Sequence, residues 1–212
     1  ARAVPDSARL PVIDFGGTLA DTARAAALAQ DIDAAFRTVG FCYFAGTSIP
    51  QKLIDGVFAA SRRFHALPTA RKLALRMNEF HRGYMPPNTS TIETSSVAKV
   101  TRPNYSESLM VMHEVAADDA RFGTPLNGPN QWPDDLPDFR ASIEAYDTAL
   151  RAFCTRLMRI VALALDMPPD ALSPFFQHPT TFLRLLHYPP QPPDAADDAF
   201  GSAPHTDYGF LT

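Results

Sequence analysis

His205 and Asp207 stand two residues apart in "PHTDYGFLT", a stretch with the composition of a strand. In an extended strand, side chains two apart point to the same face with Cα atoms about 6.6 Å apart, so an imidazole and a carboxylate there can converge on one ion. Together they make two thirds of the 2-His-1-carboxylate arrangement that holds iron(II) on one side and leaves the opposite side open to ligands. Spacing alone leaves two readings standing: a metal site, or a turn hydrogen bond between a surface carboxylate and a histidine.

The elements that must position this pair are mixed helix and strand. "LPVIDF" reads as a short strand. "DTARAAALAQDIDAAFRTVG" then places Leu28, Ile32, Ala35, Phe36 and Val39 at helical spacing and ends in Gly40, suited to a helix C-terminus. "FCYFA" reads as a strand. "PQKLIDGVFAASRRFHAL" reads as a second helix, with Pro50 at its first turn and Leu53, Ile54, Val57, Phe58 and Phe64 as its buried stripe. Residues 76–131 are rich in turn formers around two strand-like pieces, "HRGYM" and "ESLMVMH", and are expected to be lid and edge structure. A long amphipathic helix follows through "LPDFRASIEAYDTALRAFCTRLMRIVALALDM", with Phe139, Ile143, Tyr146, Leu150, Phe153, Leu157 and Val161 on one face. "TTFLRLLHY" is rich in strand formers, and "PPQPPDAADDAFGSA" is a stiff loop.

Composition narrows the function. The 212 residues, 46% hydrophobic, are enough for a substantial core. The net charge of −4 is scattered without long runs, which points away from nucleic-acid backbones and anionic membranes and toward small molecules. No apolar run approaches the roughly 20 residues of a membrane span, and "ARAVPDSARLPVIDF" lacks the profile of a secretory signal. The expectation is a cytoplasmic monomer. Cys42 and Cys154 lie in apolar contexts and read as buried thiols rather than a disulfide scaffold.

Eight pieces in order carry a family resemblance: "LPVIDF", "AFRTVGFCYFAG", "FHALPTARK", "RGY", "YSESLMV", "NQWPDDLPDFR", "LRLLHYPPQ" and "HTDYGFLT". With them the chain resembles the isopenicillin N synthase-like branch of the iron(II)/2-oxoglutarate-dependent oxygenases. The resemblance implies an α+β protein built on a double-stranded β-helix, a jelly roll, with a helical N-terminal bracing region. Residues 1–135 would form the brace, and residues 136–212 the long helix and first catalytic strands of an incomplete jelly roll. It implies Fe(II) at His205 and Asp207, 2-oxoglutarate as cosubstrate, O2 as oxidant and a small-molecule substrate. The family's second histidine and its R-x-S would lie beyond Thr212, in a longer gene product.

Strand parity adds two residues. If Tyr188 faces the pocket, so do Leu186, Arg184 and Phe182. The resemblance gives Tyr188 a hydroxyl contact to 2-oxoglutarate; the alternative is a core tyrosine. Arg184 directed into an apolar barrel calls for an anion, either a carboxylate of substrate or cosubstrate, or an internal Asp or Glu. Many relatives carry asparagine where this chain has Leu186. His65, His81, His113, His178 and His187 read as structural, and Arg82, Tyr84 and Tyr105 as surface loop residues. Two other functions remain open at this level: an iron oxidase of the same fold that does without 2-oxoglutarate, and a non-catalytic binding module.

Overall fold

The structure, a computed structural model, describes residues 10–17, 21–92, 95, 100–196, 199–207 and 209–212. Most of the N-terminal stretch tested for a signal, Asp197 and Asp198 of the proline-rich loop, and Tyr208 of the terminal motif lie outside the described residues. The chain divides into two compact units, Ala1–Val57 with Ala141–Pro179, and Phe58–Arg140 with Thr180–Thr212. No helix among the described residues is long and apolar enough to cross a membrane.

In the first unit, β1 (Val12–Asp14) and β2 (Tyr43–Ala45) pair in parallel, with helix α1 (Thr22–Thr38) between them in sequence. Asp21 caps α1 by accepting the Ala23 and Arg24 amides, and Gly40, at φ +82°, donates back to the Ala35 carbonyl in the left-handed geometry that glycine adopts without strain. Ala25, Leu28, Ala29, Ile32 and Ala35 are buried at 3–4 residue spacing; Leu28, Ile32 and Ala35 belong to the predicted stripe, while Phe36 and Val39 are only half-buried. They pack with Phe153, Leu157, Ile160 and Val161 of α4 (Phe139–Ala164). Phe15, Phe44 and Phe153 meet edge to face at 5.0–5.9 Å.

The second unit is organised by a three-stranded antiparallel sheet in the order β3 (Gly83–Met85), β4 (Glu107–Met112), β5 (Phe182–His187). β4 is its central strand, which corrects the expectation that residues 76–131 are lid and edge: Leu109 is fully buried and Val111 and Met112 nearly so. A closed jelly roll is not seen; the sheet is open beside β5 among the described residues. Helix α2 (Gln51–His65) contributes Ala60 and Phe64 to this unit's core, whereas Phe58, expected in the stripe, is 61% exposed. The buried positions Val57, Ala60 and Phe64 follow 3- and 4-residue steps, and Phe58 sits about 100° around the helix from Val57.

Arg82 and Tyr84, expected on surface loops, are among the most buried side chains. The Arg82 guanidinium donates to the carbonyls of Phe80, Leu126 and His113 at 2.7–2.8 Å, tying two turns to the end of β4. Tyr84 belongs to a buried network on the inner face of the sheet. Glu107, 5% exposed, accepts from Lys72 Nζ at 2.6 Å and from the Tyr84 hydroxyl through Oε2, while Oε1 lies 2.8 Å from His187 Nδ1. Lys72 Nζ, from the short helix α3 (Thr69–Leu73), also donates to the His65 carbonyl, and the His65 and His187 rings lie 5.2 Å apart.

Burial by itself would raise the Glu107 pKa, but the hydrogen bonds from Lys72, Tyr84 and His187 outweigh it and hold the value down to about 2, from an ordinary 4.5. A depressed carboxyl stabilises the fold fully above its unfolded value. That contribution should therefore fade as pH falls from about 4.5 toward 2, and acid unfolding of a Glu107→Gln variant should be less steep there than the parent's. Lys72→Met, which strands the carboxylate in the interior, should cost about 3–5 kcal/mol in urea unfolding at neutral pH, the range for removing one partner of a buried pair.

Candidate metal and cosubstrate site

β5 builds half of the site by alternation. Leu183, Leu185 and His187 share the inner face, opposite Val111, Leu109 and Glu107, and Leu185 is buried there. Phe182, Arg184 and Leu186 share the other face, opposite Met112, Met110 and Ser108, and Tyr188 follows one step beyond. Phe182, Leu186 and Tyr188 are 41–54% exposed. The parity of Phe182, Arg184 and Leu186 is thus as expected, and Tyr188, just past the end of β5, is not a core tyrosine.

Arg184 donates from Nε to Ser108 Oγ at 2.9 Å, and its Nη2 lies 4.0 Å from Met85 Sδ. No carboxylate pairs with it among the described residues. Desolvation lowers its pKa, with Tyr188 close enough to oppose the shift. Among the described residues no internal acidic partner engages it, and the guanidinium retains donors for an outside anion.

His205 and Asp207 meet, but not through the strand geometry that their spacing suggests. His205 Nε2 lies 2.9 Å from Asp207 Oδ1, and both side chains are partly exposed. His205 Nδ1 lies 2.7 Å from the Ala203 carbonyl oxygen, so both ring nitrogens face oxygen acceptors. The segment is not in a strand: residues 203–207 have no ladder partner among those described, and backbone and side-chain tethers hold the segment instead. The Tyr105 amide donates to the Phe200 carbonyl at 2.8 Å, and the Ala203 amide donates to Asn104 Oδ1 at 2.9 Å. A Cβ on Gly201 would stand 2.9 Å from the Tyr188 ring, so glycine there lets the chain lie flat against that ring. Tyr188 accordingly neighbours Arg184 on one side and the segment leading to His205 on the other.

The donor set suits a hard or borderline divalent ion: one imidazole with its far nitrogen engaged, and one carboxylate beside the near nitrogen. Among the described residues no group of three or more His, Cys, Asp or Glu could hold a metal, so the other five histidines supply no third ligand. The expectation that they are structural stands for His65 and His187, which belong to the Glu107 network. Asn104 and Ser108 were missed. Their signal is the run Asn104, Ser106, Ser108, three small polar residues at strand period, all buried.

Residues 10–135 match the family model described as non-haem dioxygenase in morphine synthesis N-terminal. The chain is 33% identical over 213 residues to the 2-oxoglutarate-Fe(II) type oxidoreductase hxnY of Emericella nidulans, covering 95% of this chain and 59% of the relative. It is 35% identical over 214 residues to the 2-oxoglutarate-dependent dioxygenase citB of Monascus ruber, covering 96% and 63%. Among solved structures, a 2OG-Fe(II) oxygenase family protein of Caulobacter crescentus superposes with TM-score 0.73 at 24% identity over 90% of this chain and 59% of that one, a likeness of fold. A full-length Neurospora crassa protein, solved in complex with alpha-KG, matches at TM-score 0.69 and 27% identity over 85% of this chain and 54% of that one. The protein belongs to the iron(II)/2-oxoglutarate-dependent oxygenase superfamily. It spans about 60% of the length of the curated relatives it matches.

Proposed function

We propose that this chain forms the brace and first catalytic strands of an Fe(II)- and 2-oxoglutarate-dependent dioxygenase that hydroxylates a small molecule with O2. Residues 1–135 would serve as brace and residues 136–212 as the start of the jelly roll. The observation that carries the reading is the convergence of His205 Nε2 and Asp207 Oδ1 at 2.9 Å, with Nδ1 engaged by a backbone carbonyl. His205 and Asp207 would hold the iron as two of its protein ligands. When bound, the iron supplies the redox chemistry that couples decarboxylation of 2-oxoglutarate to oxidation of a substrate C–H bond.

The residues of this chain do the rest. Arg184 offers its guanidinium to a carboxylate of 2-oxoglutarate or of an acidic substrate, steadied by Ser108. Tyr188 offers a hydroxyl from the next position on the same face. The relatives' names and the alpha-KG complex of the Neurospora crassa protein support the cosubstrate. A cytoplasmic monomer that binds neither nucleic acid nor membrane accords with a net charge of −4 spread without runs.

Anaerobic Fe(II) titration tests the centre. The 212 residues alone should bind weakly, because two protein donors leave the ion mostly hydrated. The chain extended to the length of its relatives should bind tightly, and His205→Ala or Asp207→Ala should each abolish that gain. Equal binding by the short and extended forms, or iron retained after both substitutions, would sink the assignment. In the extended form, Arg184→Ala should weaken binding of 2-oxoglutarate or of an acidic substrate by about 1.5–3 kcal/mol, the worth of a hydrogen bond to a charged group. Calorimetry with each ligand decides it, and unchanged affinity for both removes Arg184 from the site.

A further inference from the structure

The outer face of the sheet is apolar around a single cation. Pairing across the three strands sets its rows: Met85, Ser108 and Leu186 share one, Met110 and Arg184 the next, and Met112 and Phe182 the last. Phe182 and Leu186 are exposed, and Met85 and Met110 are half-buried. Arg184 is the one charged side chain in these rows. Ser108, fully buried, accepts from its Nε at 2.9 Å and takes up that edge of the guanidinium. What remains for a ligand is the pair of Nη groups, and Nη2 has the Met85 sulfur, a weak acceptor, 4.0 Å away. A carboxylate can take both Nη groups at once. Ser108 thus fixes the direction in which the charge is offered.

We propose that this face takes the substrate, and that the substrate is an amphipathic carboxylic acid: its carboxylate meets the Nη groups of Arg184, and its apolar body lies over Met85, Met110, Phe182 and Leu186. The inference rests on the oxygenase reading and chooses between the two anions named there. 2-Oxoglutarate suits this surround poorly. It carries two carboxylates and an oxo group around a pair of methylenes, so most of its surface asks for hydrogen-bond donors, and methionine, phenylalanine and leucine offer none. A hydrocarbon or aromatic body instead gains by leaving water against these side chains. Covering the arginine in the same step strengthens its attraction for the carboxylate, because the surround is of low dielectric. Methionine also repacks readily, so the face should accept bodies of different shape while insisting on the acid.

Calorimetry on the chain extended to the length of its relatives tests this. The probes are octanoate, phenylacetate and hydrocinnamate, each paired with its primary amide, together with acetate and 2-oxoglutarate. The amides keep the shape and lose the charge, and acetate keeps the charge and loses the body. Acids and amides are titrated into the metal-free form, so that no carboxylate can bind the ion instead, and 2-oxoglutarate into the anaerobic Fe(II) form. In the parent each of the three acids should bind about 10- to 100-fold more tightly than its amide, as a hydrogen-bonded charge allows, and more tightly than acetate. Arg184→Gln should bring the acids down to their amides and leave 2-oxoglutarate at parental affinity. Met85→Ser should weaken acids and amides alike by about 5-fold and keep their ratio. A parent that binds the acids no better than their amides overturns the proposal. So does Arg184→Gln with weakened 2-oxoglutarate and an unchanged preference for acids, which gives the arginine to the cosubstrate. The acid-to-amide ratio is read on the parent, so it decides even where a variant does not fold. A chain that binds Fe(II) and 2-oxoglutarate without preferring the acids overturns this inference alone. One that prefers the acids and binds neither supports the ligand class and sinks the oxygenase reading.

Discussion

Glu107 is the residue on which the second unit turns. It sits in the central strand and nearly out of solvent, where a lone carboxylate would cost several kcal/mol. Three donors from three different places satisfy it: Lys72 from α3, Tyr84 from β3 and His187 from β5. Each is itself constrained, Lys72 by a second bond to the His65 carbonyl, Tyr84 by complete burial and His187 by its ladder position opposite Glu107. Greasy contacts in this core could tolerate small rearrangements, since apolar packing is not directional. A carboxylate with three defined donors cannot, and so it specifies which residues of the neighbouring strands face inward.

Alternation carries that specification through to the other face of the sheet. With His187, Leu185 and Leu183 committed to the inner face, Arg184 and Leu186 have no choice but the other. The arginine is then supported from β4 by Ser108, two residues along the chain's own ladder from Met110, its direct partner. Beyond Tyr188 the chain loops back, passes flat beneath the tyrosine ring at Gly201 and reaches the Asn104 anchor before presenting His205 and Asp207. The start of β4 and its approach are therefore in use three times over: Glu107 governs the inner face, Ser108 the outer face, and Asn104 the returning segment.

Local patterns in the sequence were sufficient for much of this. The helices α1 and α4, the period-two face of β5 and the convergence of His205 with Asp207 all depend on residues within one or two turns or strand steps of each other. What escaped depends on distant partners. Arg82 looked like a surface cation because nothing near it in sequence announces that three carbonyls from residues 80, 113 and 126 need a donor. The polar content of residues 76–131 suggested a lid, yet Glu107, Ser108 and Tyr84 are buried because their partners come from β5 and α3. His187 was set aside on parity, but parity alone could not show that the opposite face held a carboxylate waiting for it. Asn104 carried a faint signal in the buried alternation with Ser106 and Ser108, and its target lies 99 residues on.

The inner network and the outer site are linked by register. Shifting β5 by one residue against β4 would turn Arg184 toward Tyr84 and Leu109 and would move His187 to the other face, away from Glu107. An apolar inner face alone would resist this only in part, because Leu183, Leu185 and Leu186 are interchangeable in size and both faces of β5 carry leucine. The discriminating contacts are the charged ones: His187 must meet Glu107, and Arg184 must not enter a face that already holds Lys72. A buried ionic network adds little net stability over well-packed apolar groups, but it penalises the wrong pairing through an unpaired carboxylate and a crowded cation. In this sheet, that penalty keeps the guanidinium and the tyrosine hydroxyl on the side where a carboxylate ligand could reach them.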